Sequence, residues 1–286
     1  MKIRYLSDLH IDPTWFLPFD PPVHKDDHEQ VLVLAGDVAE YKHVAEFVFQ
    51  MSKRFKHVVY VFGNHEYYNT SISRGLDKVK GKITQLNDNK YPTNIHILED
   101  DYVIIDDVAF IGATLWSSMD ERHPFTMWTA KDRMNDFKRI RQPSGDGRGQ
   151  NAYGRRLTPT TTVTKHYHSR QYIMDAAKTI GNDLDQTVRK IVVVTHHGPT
   201  KQSIDPSYIG NGLNGAYVSE LTEEIQLAPI DLWFHGHVHC NMDYIVTYED
   251  DPRPTRVLTN PRGYRMKKHP NQVENHNFVE DAVVEI

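Results

Sequence analysis

The stretch Ile3-Arg4-Tyr5-Leu6-Ser7-Asp8-Leu9-His10 sets a strand-like apolar run directly before a carboxylate and an imidazole. The same order recurs along the chain. Val31 to Ala35 precedes Gly36-Asp37, and Val58 to Phe62 precedes Gly63-Asn64-His65-Glu66. Ile191 to Val194 precedes Thr195-His196-His197, and Leu232 to Phe234 precedes His235-Gly236-His237-Val238-His239. Short runs rich in β-branched residues that end in small or polar ones predict buried strands. Ile95 to Leu98 and Val108 to Ile111 add two more, while Val44, Phe47, Val48, Met51 and Phe55 share one helical face between two of the runs. The pattern is strand, helix, strand, and an α/β sheet of this kind carries its ligands beyond the strand ends.

Farther along, helices are expected at about Thr164 to Thr179 and Val218 to Leu227, with closing strands at Tyr244 to Val246, Arg256 to Leu258 and Ala282 to Val284. Residues 117–162, interrupted by Gly145, Gly147, Gly149 and Gly154, read as an irregular insertion in a single domain spanning 1–286. A loop of that length inside a compact domain is usually functional or mobile. The segment Lys131 to Arg170 holds ten Lys or Arg against three Asp, a net of +7 that leaves −12 on the rest of a chain whose total is −5. That balance argues against coating long nucleic acid, and the basic segment is either a solvated loop or a patch that draws in a phosphate-bearing substrate. No basic and apolar leader follows Met1, no run approaches a membrane span, and the single Cys240 makes no internal disulfide, so a cytoplasmic protein with no membrane partner is expected. Oligomeric state is not legible.

Taken singly, each polar motif is ambiguous. Asp-x-His is common, Gly-Asp can end a strand as a turn, and Asn64 could cap a helix. Taken together and in this order, Asp-x-His, Gly-Asp, Gly-Asn-His-Glu, His and Gly-His-x-His resemble the calcineurin-like metallophosphoesterases, bacterial or phage type. The resemblance runs from residue 3 to about 264, where Asn260-Pro261-Arg262-Gly263-Tyr264 matches a closing segment of bacterial members. It implies an α/β sandwich of two facing mixed β-sheets flanked by helices. It also implies two divalent transition-metal ions, with Mn as the first choice and Fe or Zn as alternatives, since carboxylate, imidazole and amide donors suit all three.

Residue by residue, the resemblance implies that Asp8, His10 and His239 hold one ion, that Asn64, His196 and His237 hold the other, and that Asp37 bridges them. His197 competes with His196, and His235 is expected to be a strand residue or a partner of a ligand. His65 corresponds to the family's phosphate-contacting histidine, a candidate to protonate the leaving oxygen. Two such ions make hydroxide available near neutral pH, so no protein nucleophile is needed and neither Ser7 nor Cys240 matches a nucleophile motif. The expected activity is hydrolysis of a phosphomonoester or phosphodiester, with a small, nucleotide-like phosphorylated substrate. The alternatives are a metal-dependent nuclease and a non-catalytic metal-binding scaffold of the same fold; filled ligand positions count against the scaffold, and scattered aromatics in the insertion count against strand binding.

Overall fold

The computed structural model describes residues 1–12, 19–143, 154–182, 187–247, 254–266, 268–269 and 271–286. One sheet is built from β1 (Lys2–Leu6), β2 (Val31–Ala35), β3 (His57–Val61) and β4 (Ile95–Leu98), all parallel, with β13 (Val283–Glu285) antiparallel on the outer side of β1. The other joins β5 (Asp101–Ile105), β6 (Val108–Ala113), β9 (Lys190–Thr195), β10 (Leu232–His235), β11 (Asp243–Val246) and β12 (Thr255–Thr259) in the order β11-β12-β10-β9-β6-β5. Its four inner strands are parallel and its two edge strands antiparallel. A two-stranded ribbon pairs β7 (Arg141–Gln142) with β8 (Arg155–Arg156).

Alternation along each strand divides the apolar residues among three layers. Ile3, Val31, Val33, Val59 and Val61 of the first sheet pack against Phe110, Val192, Val194, Leu232 and Phe234 of the second. The intervening residues Leu32, Leu34, Val58 and Tyr60 face outward onto α1 (Val44–Ser52) and α2 (Gly75–Leu86), through Val48, Met51, Val79 and Ile83. On the far side, Ala109, Ile111, Val193 and Trp233 pack with Ile173 and Ala177 of the long helix α6 (Pro159–Gly181). Strands covered on both faces must be apolar throughout, which is why these runs lack polar alternation. The expected sandwich of two facing mixed sheets is the fold.

The insertion departs from its expected irregularity. It carries α3 (Met119–Arg122), α4 (Pro124–Arg133), α5 (Asp136–Arg139) and the β7–β8 ribbon, and its end is the first turn of α6, capped by Thr158, whose side chain accepts from Thr161 N at 3.3 Å. Met119 to Arg122 have φ of 51–65°, a left-handed turn that no helical periodicity signals. Gly145, Gly147 and Gly149 lie outside the described residues. The helix expected over Val218 to Leu227 is shorter: after α7 (Asn214–Tyr217), Val218 bridges Gly198, and only α8 (Thr222–Gln226) is helical. No described helix is long and apolar enough to cross a membrane.

Candidate metal centre

The parallel strands of both sheets end at one place. Asp8 and His10 follow β1, Asp37 follows β2, Asn64 and His65 follow β3, His196 follows β9, and His237 and His239 follow β10. Asp8, His10, Asp37, His237 and His239 all have φ between 47° and 69°. Such a backbone costs an L-residue roughly 1–2 kcal/mol, and it persists only where neighbouring bonds dictate it. Here Asp8 N donates to Gly36 O at 2.9 Å, His10 N to Asp37 O at 3.1 Å, and His237 N to Asp8 Oδ2 at 3.0 Å. The glycines beside the polar residues are required by crowding: a Cβ on Gly63 would meet the Asp37 carboxylate, and one on Gly236 would meet that of Asp8.

Three groups bring donor atoms within 4.8 Å of one another: Asp8, His10 and His239; His10, Asp37 and His65; and Asp37, His196 and His237. His10 Nε2 and His239 Nε2 face each other at 3.3 Å, and His239 Nε2 lies 3.3 Å from Asp8 Oδ1. On the other side of Asp37, His196 Nε2 lies 3.4 Å from Asp37 Oδ1 and 3.1 Å from Asn64 Oδ1. His237 Nε2 is buried with no hydrogen-bond partner among the described residues. A buried, unpartnered ring nitrogen beside converging carboxylate and imidazole atoms is the arrangement a divalent cation would complete, so the residues fit the group the sequence implies. All seven expected ligand positions, with His65 beside them, are brought together. His197 belongs to none of the three groups; its Nδ1 meets Thr114 O at 3.3 Å and its ring packs on Trp116. His235 ends β10 with Nε2 held by the Ser203 hydroxyl at 2.7 Å.

Neighbouring side chains fix the orientation of these donors. His196 Nδ1 donates to Ala35 O at 2.9 Å and His239 Nδ1 to Glu274 Oε2 at 2.9 Å, which turns each Nε2 toward the centre. Asn64 Nδ2 donates to Asp136 Oδ1 at 2.8 Å, leaving Oδ1 of the amide facing His196. Glu66 accepts from the backbone of Asp37, Val38 and Gly63 and from the Tyr60 hydroxyl, tying the loop after β2 to the loop after β3. Burial works against an ionised Asp37, but His196, His65 and His10 outweigh it and hold its carboxyl well below the usual range. Burial also disfavours the charged imidazoles. It carries His10 and His237 well below the ordinary value, whereas the Asp37 carboxylate pushes His196 up to about 9 and Asp8 with Glu274 pushes His239 up to about 10.

A cavity of about 570 Å³ opens over the centre, with Asn64, His237 and His239 at its floor and Tyr68, Tyr208, Tyr217 and Tyr264 in its walls. Among the described residues, Arg133 is the one Lys or Arg in its lining, so Lys138, Arg139, Arg141, Arg155 and Arg156 of the basic segment do not form the wall. Arg139 pairs with Glu40 and covers the Tyr68 ring at 4.5 Å. Cys240 reaches the cavity, but burial pushes its thiol up to about 12, which removes it as a nucleophile.

Residues 1–241 match the family described as calcineurin-like phosphoesterase. The chain belongs to that family. An uncharacterised protein of Acanthamoeba polyphaga mimivirus is 26% identical over 289 residues, spanning 93% of this chain and 92% of the other. Among solved structures, the phosphopantetheinyl hydrolase of Mycobacterium tuberculosis shares the fold with a TM-score of 0.55 at 14% identity, covering 92% of this chain and 89% of its own. A dimetal phosphatase from Danio rerio aligns with a TM-score of 0.43 at 11% identity, over 90% of this chain and 86% of its own. Membership of the calcineurin-like phosphoesterases implies divalent metal ions, and the Asp and His groups above are the candidate ligands.

Sequence reasoning missed Asp136, Tyr68, Glu274 and Tyr264 as neighbours of the centre. Asp136 sits in the insertion and Glu274 beyond the last motif, each contacting a residue tens or more positions away, and neither has a local pattern that would have marked it.

Proposed function

We propose that this chain is a metal-dependent phosphoric ester hydrolase acting on a small phosphorylated substrate, monoester or diester, with two divalent transition-metal ions, Mn first among them. In this reading Asp8, His10 and His239 hold one ion, Asn64, His196 and His237 hold the other, and Asp37 faces both. The observation that carries it is the overlap of three ligand groups beneath a cavity of about 570 Å³. That volume falls in the range of roughly 300–1,000 Å³ typical of small-molecule sites.

Bound among these residues, divalent ions would supply a hydroxide near neutral pH and positive charge for phosphoryl oxygens. The chain's own groups set the geometry. His65 Nε2 lies 3.7 Å from Asp37 Oδ2, next to where a phosphoryl group would sit, and is the group placed to hand a proton to the leaving oxygen. Its ring is stacked on Tyr68 at 4.2 Å between centroids and its backbone N donates to Asp37 Oδ1 at 2.9 Å, so it enters the reaction already oriented. Glu274 and Ala35 O hold the far nitrogens of His239 and His196.

The test is a panel of nitrophenyl phosphates, a bis-nitrophenyl diester and nucleotides, assayed after chelation and after readdition of Mn, Fe, Zn or Mg. Hydrolysis lost on chelation and restored by one of the ions is expected. Intact, metal-loaded protein that hydrolyses none of them would leave the family assignment standing without this activity.

A further inference from the structure

We infer that Tyr264 is a phosphate-binding residue of this site, its hydroxyl donating to a phosphoryl oxygen beside His65. The inference rests on the phosphoesterase reading above and names a residue that reading does not use. Tyr264 OH lies 2.9 Å from His65 Nε2. Its ring stacks on His10 at 4.3 Å between centroids and meets His239 edge-on at 4.7 Å. It lines the cavity and is 39% exposed, whereas His10 is 0% and His65 7% exposed. The ring thus lines the cavity while packing against His10, His65 and His239.

The segment that carries Tyr264 is anchored at the centre. Arg262 N donates to Ser7 O and Gly263 N to Asp8 O, each at 3.0 Å, so the chain runs alongside the end of β1. Tyr264 N donates to Glu274 Oε2 and Glu274 N to Tyr264 O, both at 2.8 Å, and the same Glu274 oxygen holds His239. The backbone is fixed on both sides while the side chain faces the cavity. Packing against His10 and His239 would be served equally by phenylalanine. What phenylalanine would lack is the hydroxyl, the atom within hydrogen-bond distance of His65 Nε2, and a phenol is a donor an anionic oxygen can use.

The experiment is calorimetric titration of inorganic phosphate into the metal-loaded protein, with metal content measured on every sample. Tyr264→Phe is expected to keep its ions and to weaken phosphate binding by about 10- to 100-fold, the effect of removing one hydrogen bond to a charged group. Tyr264→Leu removes the ring as well and should weaken binding to a similar extent. The inference is overturned by phosphate affinity in Tyr264→Phe within twofold of the parent, by a loss confined to Tyr264→Leu, which would make the ring a packing element, or by loss of metal in Tyr264→Phe. Parent protein that takes up metal yet binds no phosphate would overturn the phosphoesterase reading together with it; equal binding by parent and Tyr264→Phe would overturn this inference alone.

Discussion

Asp37 Oδ1 lies 3.4 Å from His196 Nε2 while its Oδ2 lies 3.9 Å from His10 Nε2, so one carboxylate faces both halves of the centre. His10 faces one half only. Asp37→Asn should therefore lower the occupancy of both ions and His10→Gln that of one, a difference that metal titration followed by elemental analysis resolves; equal losses would mean Asp37 does not sit between two ions. His65 is in another position, because it approaches Asp37 without joining the Asp8–His239 or His196–His237 groups. His65→Ala should retain both ions and slow turnover by about 10²- to 10⁴-fold on alkyl phosphates, the range for a positioned general acid. Nitrophenyl esters, whose leaving group departs without a proton, should be slowed much less. A deficit independent of leaving group would reduce His65 to charge stabilisation.

At the scale of elements, the centre is a set of loops held against one another, and Glu66 is their tie. Its buried carboxylate accepts from four backbone amides at 2.7–3.4 Å and from Tyr60 OH at 2.7 Å. Glu66→Ala strands those donors inside the protein. A loss of about 3 kcal/mol or more is expected in urea unfolding, together with weaker metal binding, since Asp37 and Asn64 ride on the two loops it joins. A variant that loses stability but keeps its metal affinity would show that the loops hold their ligand geometry without it. The strands that carry these loops were legible because burial on both faces forces short apolar runs, each ending in the polar residues of the centre. The elements that escaped lack that pressure. β5 is an edge strand with Asp101, Tyr102 and Ile104 exposed, and α2 begins at a glycine and buries little beyond Val79 and Ile83. The insertion hid its helices because α4 buries Thr126, Thr129 and Ala130, small or polar residues that form no apolar stripe. Ligand types were readable in the motifs themselves; Asp136 and Glu274 reach the centre only through the folded chain, while Tyr68, four residues past Asn64, and Tyr264, at the end of the closing segment, lie beside motifs that do not say which way an aromatic ring turns.

Across the whole molecule, Asp8, His10, Asp37 and Asn64 come from one sheet and His196, His237 and His239 from the other, so ions held among them would join the two sheets. Binding that exists only in the folded state stabilises by about 4 kcal/mol per ion at a thousandfold excess over Kd. At about 2–4 °C per kcal/mol for a domain near this size, metal-loaded protein should melt on the order of 10 °C above chelated protein for each ion. The gap should also depend on pH. Without ions, burial disfavours the two cations, yet Asp37 and then Asp8 push His196 up to about 9, and Asp8 with Glu274 pushes His239 up to about 10. Both exceed the ordinary value near 6.5, so their contribution to ion-free stability is complete below about pH 6.5 and is lost as pH rises through about 9 to 10. A metal needs the same nitrogens unprotonated, so its uptake releases protons and its affinity climbs over that window. The two effects have the same sign. Melting scans at pH 6.5, 7.5 and 8.5, with saturating Mn and with chelator, should show the gap widening steadily with pH, and a gap that stays constant or narrows would mean that His196 and His239 do not carry the protons an ion displaces.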